Sequence, residues 1–386
     1  MTVGVLKETY PEERRVALVP LHAAQVREAG FEVLVQSGAG IQAGYPDHAY
    51  QEKGARLAGE PQAVYGEADV LLRVRAAGAN PRSGKKEITM MKEGTVLIGF
   101  LEPYASRGML EALNRRRINS FAMELIPRIT RAQKMDALSS MASLAGYRAA
   151  LLAACALPRV YPMMMTAAGT ITPARVFVIG AGVAGLQAIA TAHRIGAVVT
   201  AYDIRPAVRE QVESLGARFM ERDLDTTGAE DSGGYARQME ENFYRRQREM
   251  MERVLAESDV VIATAAVPGK KAPLLITKNM IGAMPPGSVI VDLAAEQGGN
   301  CEATVPGKTV QEGEVRVIGP VNLPSAIPYH ASQLYSKNIS SFFLAMAGEG
   351  CLDLDCEDEI ARESRVTAWG NLVNERVRSA LWTTSP

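Results

Sequence analysis

A chain of 386 residues with 47% apolar content is long enough for two domains, each with its own core. Lysine plus arginine (42) nearly balance aspartate plus glutamate (43), and a pI near 6.5 leaves no long-range field to hold nucleic acid or an anionic membrane. The scattered Cys155, Cys301, Cys351 and Cys356 and the dispersed His22, His48, His193 and His330 form no metal-ligand cluster, and they suit a reducing, cytosol-like compartment.

The first residues, MTVGVLKETYPEERR, open directly in a strand pattern. They carry neither an apolar signal core nor an arginine-rich presequence, so no cleaved targeting segment is expected. Short β-rich runs then recur at 3–6 (VGVL), 32–36 (EVLVQ), 70–74 (VLLRV), 95–100 (TVLIGF) and 120–125 (SFAMEL). Between them lie helical patterns such as LHAAQVREAG and SRGMLEALNRRR, and strand alternating with helix means a parallel sheet. An alanine-rich segment follows from Asp136 to Ala156. Its most membrane-like part, 138–156, contains Ser139, Ser140, Ser143, Tyr147 and Arg148. A spanning helix wants about 20 predominantly apolar residues, so this is expected to be a connecting helix of a soluble protein.

A second alternating series begins at 175–179 (RVFVI) and continues with 198–202 (VVTAY), 217–219 (ARF), 260–264 (VVIAT), 288–292 (SVIVD) and 315–319 (VRVIG). These strands and their crossovers predict a doubly wound domain. The run SQLYSKNISSFFLAMAG is expected to be a second connecting helix that carries the chain back. The expectation is therefore an α/β protein of two Rossmann-like, doubly wound parallel-sheet domains joined by long helices. One domain is residues 1–135 with 331–386, and the other is residues 136–330.

Strand RVFVI runs into Gly180, Ala181, Gly182, Val183, Ala184 and Gly185, then into the helical GLQAIATAHRI closed by Gly196. Gly180 permits the tight turn, Gly182 lets a pyrophosphate approach the backbone, and Gly185 lets helix pack on strand. The helix N-terminus then attracts the anion. Asp203 ends the next strand, where a carboxylate can accept both ribose hydroxyls and repel a 2′-phosphate. NAD(H) is expected over NADP(H), although Arg205 just beyond is a residue type that can serve NADP(H).

The segment PRITRAQKMDALSSMASLAGYRA (127–149) crowds three arginines, a glutamine, an aspartate and three serines into the start of the alanine-rich helix and the stretch before it. Gln133, Asp136 and Ser139 recur every three residues, so a helical segment would line them along one face. Together with VIGAGVAGLQAIATAHRIGAVVTAYDIRPAVREQVESLGARF, SGGYARQM, VVIATAAVPGKKAPLLIT and SVIVDLAAEQGGNCEATVPG, this segment resembles the NAD(H)-binding alpha subunits of proton-translocating NAD(P) transhydrogenases. The resemblance runs in register over roughly residues 1 to 350.

The resemblance implies a Re/Si-specific, proton-translocating transhydrogenase component that passes hydride from NADH to NADP⁺ on a partner. It implies that Arg128, Gln133, Asp136 and Ser139 form a loop over the nicotinamide ring. It implies cofactor contacts at Ile129, Gly180, Gly182, Val183, Ala184, Gly185, Asp203, Ile204, Arg205, Gly233, Gly234, Tyr235 and Ala265, with Tyr235 on a lid that closes over bound cofactor. The implied partners are NADP(H)-binding and membrane-spanning subunits and a second copy of the chain. The implied location is cytoplasmic, peripheral on the inner face of the cytoplasmic membrane. With no spanning helix and no second dinucleotide fingerprint up to Pro386, the membrane and NADP(H) parts are expected on separate chains or outside this sequence. Pro320, Val321 and Ala326 depart from the family pattern, and Cys351 and Cys356 are too few ligands for a metal site.

Alanine dehydrogenase shares the architecture, and EERRVALVP resembles that relative too. There an arginine, a lysine and a histidine handle the amino acid. Here Arg15 is available for the carboxylate, but the lysine position holds Arg75 and the histidine position holds Glu102. Arginine cannot deprotonate usefully, and glutamate brings the wrong charge and pKa. Direct hydride exchange between nicotinamides needs no acid or base, only orientation. A non-catalytic NAD(H) sensor is the third reading.

Overall fold

The computed structural model describes residues 1–220, 241–266, 271–348, 350–354 and 358–382, leaving aside the side chains of 241–244 and 382. The chain divides into two compact units, residues 1–141 with 324–386 and residues 142–323. These cuts differ from the expected ones because flanking residues bond back into the first unit. The Ser325 hydroxyl donates to the Glu12 carbonyl at 2.7 Å and accepts the Arg14 amide at 2.8 Å. The Arg15 Nη1 reaches the Met141 sulfur at 3.2 Å.

In the first unit the sheet runs Asn371–Leu372, Arg365–Ala368, Asn119–Ala122, Val96–Phe100, Val70–Arg75, Thr2–Val5, Glu32–Gln36, Arg56–Ala58. Numbering its six parallel strands along the chain gives the order 3-2-1-4-5-6, with Arg365–Ala368 and then Asn371–Leu372 added antiparallel beyond the sixth. Strands buried on both faces need near-continuous apolar runs. Val70, Leu71 and Leu72 supply one and Val96, Leu97 and Ile98 another, all at most 1% exposed.

The second unit repeats the order. Its sheet runs Arg218–Phe219, Val198–Tyr202, Arg175–Ile179, Val260–Ala263, Val289–Asp292, Val315–Gly319, Lys308–Glu312, again 3-2-1-4-5-6 with one antiparallel edge strand. Strand RVFVI shows the two-residue alternation at work. Val176 and Val178 enter a core of alanines and valines on one face, and Phe177 and Ile179 enter a core with Met250, Met251 and Ile290 on the other.

Four elements position the features below: α1 (Ala137–Ala156), β1 (Arg175–Ile179), α2 (Val183–Arg194) and β2 (Val198–Tyr202). Among the described residues α1 alone is long and apolar enough to cross a membrane. It carries Ser139, Ser140, Ser143 and Arg148 and buries Ala149, Ala150 and Ala153 in the alanine-rich core of the second unit. Its Gly146 lets α2 come close, since a Cβ there would stand 2.0 Å from the Ala184 carbonyl oxygen. The α/β architecture of two Rossmann-like sheets is the one expected from the sequence.

Candidate functional site

An open parallel sheet with this strand order has a crevice beyond the carboxyl ends of its first and fourth strands, where the connections leave in opposite directions. In the second unit β1 ends there, and the three glycines that follow have three different geometric reasons. Gly180 sits at φ 93°, and a Cβ would meet the Thr264 hydroxyl at 2.7 Å. Gly185 begins the packing of α2 on the turn, where a Cβ would lie 1.9 Å from the Gly180 carbonyl oxygen. Gly182, at the N-cap of α2, faces open space with nothing within 4 Å of its Cβ position. With glycine at that cap, no side chain there satisfies the first amides of the helix. The turn thus presents room, donors and a helix dipole, which fits a pyrophosphate. Val183 is exposed and Ala184 half-buried beside it.

Thr264 follows the fourth strand, and its hydroxyl donates to the Gly180 carbonyl at 3.0 Å and the Ile179 carbonyl at 3.2 Å, tying the two strand ends together. Ala265 is half-buried and gripped on both sides by Asn300. Its amide donates to Asn300 Oδ1 at 3.0 Å, and Asn300 Nδ2 donates to its carbonyl at 2.7 Å. Asn300 is itself fixed by its amide bond to Asp292 Oδ2 at 2.7 Å, an oxygen that also accepts from Cys301 and Thr304. Sequence reasoning alone misses Thr264, Asp292 and Asn300. Their shared signal is a polar residue at or beyond the carboxyl end of a strand, where polar side chains serve backbone or ligand.

Asp203, one residue past β2, is 8% exposed. Its Oδ2 accepts the Ala181 amide at 2.7 Å, and its Oδ1 accepts the Arg205 amide at 2.9 Å. The Arg205 guanidinium folds back on the same carboxylate, Nε to Oδ1 at 2.9 Å and Nη2 to Oδ2 at 2.8 Å. Ile204 between them is half-buried. Gly233, Gly234 and Tyr235 lie outside the described residues.

The segment 127–139 belongs to the first unit, and it is not one helix. A 3₁₀ turn spans Thr130–Met135, Asp136 breaks it at φ −71°, ψ 87°, and α1 begins at Ala137. The condition for a single helical face through Gln133, Asp136 and Ser139, a continuous helix, is therefore not met. Asp136 interrupts the run because its carboxylate caps α1, accepting the Ser139 amide at 2.9 Å and the Ser139 hydroxyl at 2.6 Å. Ala132 and Met135 anchor the 3₁₀ turn in the core, Ile129 is half-buried, and Arg128 and Gln133 project outward. Two tethers hold the turn from outside: Asn338 Nδ2 donates to the Lys134 carbonyl at 2.9 Å, and Arg131 pairs with Asp358.

Arg15, expected to be available for a substrate carboxylate, is already engaged within the chain. It is buried and forked onto Glu13, Nε to Oε1 at 2.7 Å and Nη2 to Oε2 at 2.6 Å. Arg75 lies 3.2 Å from Glu102, 3.7 Å from Glu13 and 4.1 Å above the Tyr10 ring centre. Among the described residues no group of three or more metal-ligating side chains occurs.

Residues 4–145 match the family model "Alanine dehydrogenase/PNT, N-terminal domain", and residues 149–375 match "Alanine dehydrogenase/PNT, C-terminal domain". The chain is 45% identical over 377 residues to an NAD(P) transhydrogenase alpha subunit of Rhodospirillum rubrum, a match that covers 97% of this chain and 98% of that one. The crystal structure of transhydrogenase from Sinorhizobium meliloti has a TM-score of 0.87 and 42% identity, over 97% of this chain and 100% of the other. An L-alanine dehydrogenase structure follows at TM-score 0.83 and 25% identity, over 100% of both chains. On these matches the chain belongs to the alanine dehydrogenase/PNT family, together with the NAD(P) transhydrogenase alpha subunits.

Proposed function

We propose that this chain is the NAD(H)-binding component of a proton-translocating NAD(P) transhydrogenase, working in a complex with NADP(H)-binding and membrane-spanning subunits. The observation that carries the reading is a contrast within the molecule. The dinucleotide turn at Gly180–Gly185 is open at Gly182, while the residues an amino-acid dehydrogenase would turn on its substrate are held by the chain's own carboxylates, Arg15 by Glu13 and Arg75 by Glu102. A carboxylate substrate would have to share a buried Arg15 whose Nε and Nη2 are already committed to Glu13. Bound NADH supplies the hydride. The residues of this chain bind and orient it: the glycine turn takes the pyrophosphate, Asp203 the ribose, Ala265 the central section, and Arg128 and Gln133 the nicotinamide end, with Asp136 and Ser139 fixing the turn that carries them.

Homodimerisation belongs to the same proposal. The hairpin Met164–Thr166/Gly169–Ile171 exposes Met164, Met165 and Ile171 at 42%, 79% and 45%, and a lone two-stranded hairpin is marginal in water. A second copy would cover it, and sedimentation should report a dimer.

The deciding experiment mixes the chain with an NADP(H)-binding partner and follows hydride transfer. Gln133 is neutral and moves no proton, so Gln133→Asn should slow saturated transfer on the order of 10²-fold, as a misplacement near 1 Å does. NADH affinity should fall by no more than about 1 kcal/mol, the net worth of one neutral hydrogen bond. Oxidation of NADH by the isolated chain with pyruvate and ammonia would overturn the reading in favour of an alanine dehydrogenase.

A further inference from the structure

We propose that Arg205 is an internal competitor for the ribose of NAD(H): its guanidinium fork occupies the acceptor oxygens of Asp203, must leave for the ribose hydroxyls to bind, and so tunes both cofactor affinity and cofactor choice. The inference rests on the reading of the Gly180–Asp203 region as an NAD(H) site.

A carboxylate offers about four lone-pair positions on two oxygens. At Asp203 four donors fill them: the Ala181 and Arg205 amides, and Nε and Nη2 of Arg205. Neither amide can swing away. The Ala181 amide belongs to the glycine turn, and the Arg205 amide to the chain leaving β2. The guanidinium rides on a flexible side chain that is 18% exposed, against 6% for the Asp203 side chain. A ribose diol brings two new donors to the same oxygens. The fork is the partner that yields.

Two consequences follow from the chemistry of the pair. A bidentate, charge-assisted contact is about twice as strong as a neutral one, and in partial burial it is screened little by salt. The fork is thereby held on Asp203, and NADH binds more weakly than Asp203 alone would allow. The fork returning to Asp203 also favours release of spent cofactor, which a hydride donor needs once per turnover. The second consequence concerns the 2′ position. Arg205 is only two residues from Asp203, so the displaced guanidinium stays beside the ribose, where it offsets the repulsion that Asp203 exerts on a 2′-phosphate. Arg205 thus narrows the preference for NADH over NADPH that the carboxylate creates.

Calorimetric titration of the isolated chain with NADH and with NADPH tests this. Arg205→Gln should tighten NADH about tenfold and weaken NADPH, widening the ratio of the two dissociation constants. Asp203→Asn should weaken NADH and shrink the ratio. Unchanged or weaker NADH binding by a folded Arg205→Gln chain would overturn the inference and show that Arg205 holds the cofactor directly. A measurement independent of any variant is the crystal structure of the wild-type chain with NADH, in which the fork should have left Asp203. A fork still in place beside bound cofactor overturns the proposal. If NADH fails to bind the wild-type chain, the functional reading falls with it. If NADH binds and hydride transfer proceeds but Arg205→Gln does not tighten, this inference alone fails.

Discussion

The two units share a strand order, and each has a crevice between its first and fourth strands, yet they fill it in opposite ways. In the second unit the chain leaves β1 as GAGVAG, and the turn keeps open the space at Gly182, where no side chain caps α2. In the first unit the chain leaves Thr2–Val5 as LKETYPEERR and puts its own anions there. Glu8 accepts the Val74 amide at 2.8 Å and the Arg75 amide at 3.2 Å, at the end of the fourth strand, and pairs with the Arg73 guanidinium at 3.2 Å. The first unit binds a carboxylate of its own where the second leaves the room that we assign to a phosphate. The same strand ends thus serve as a structural plug in one case and a proposed site in the other, and the first turn decides which.

The largest effect should come from pulling that plug. Arg73 is 1% exposed and faces Glu8, Glu87 and the Tyr65 hydroxyl. Removing one partner of a buried pair leaves an uncompensated charge, so Arg73→Leu should cost about 3 to 5 kcal/mol of stability in denaturant melts. Glu8→Gln added to Arg73→Leu should recover part of the loss, because it removes one of the orphaned charges. NADH affinity of the folded protein should stay at the wild-type value in both variants. A loss of affinity would show that the crevice of the first unit takes part in binding.

The glycines of the second unit give a sharper division. Gly185→Ala forces a Cβ against the Gly180 carbonyl and should destabilise by roughly 2 kcal/mol, in the range of overpacked cores, weakening NADH as well. Gly182→Ala meets no protein atom, so the melting temperature should hold while NADH binding falls about tenfold, or about 1.4 kcal/mol. Equal NADH binding by Gly182→Ala and wild type would mean that no ligand comes near this position.

Much of this is legible in the sequence, for a physical reason. Parallel strands buried on both faces need apolar runs, and VLLRV, RVFVI and SVIVD advertise themselves. Arg56–Ala58, Arg365–Ala368 and the exposed hairpin Met164–Thr166/Gly169–Ile171 do not, being short or polar or out in solvent. The glycine turn is legible because backbone sterics restrict the residues that fit it. The fork of Arg205 on Asp203, the Asn300 clamp on Ala265 and the cap formed by Asp136 are not. Each depends on which of several partners a side chain chooses, and that is set by tertiary structure. Asp136 shows this best, since the three-residue spacing through it suggests helical continuity, whereas its side chain is what stops one helix and starts another.

The smallest expected effect is a pH dependence confined to the first unit. Glu124 follows the sixth strand, and its Oε1 accepts the Leu101 amide at 2.8 Å and the Glu102 amide, at the end of the neighbouring strand Val96–Phe100. Burial pushes its carboxyl up to about 7 from 4.5, against the pull of those amides. The folded state therefore holds this proton more tightly than the unfolded chain does. Its contribution to stability is complete below about pH 4.5 and is lost as pH rises through 7. Glu124→Gln keeps a side-chain oxygen for both amides and removes the ionisation. At pH 4 the variant and the wild type should melt together. At pH 8 the variant should be the more stable by about 1 to 2 kcal/mol. Each tenfold tightening of proton binding is worth roughly 1.36 kcal/mol and the rise from 4.5 to about 7 spans more than two such steps, so the expected value is a reduced one, because an ionised Glu124 would relax toward solvent. NADH affinity should show no matching step in that interval, since the glycine turn and the carboxylate assigned to the pyrophosphate and ribose lie in the other unit. A variant no more stable than wild type at pH 8 would mean that Glu124 is already ionised in the fold and that its amide bonds outweigh its burial.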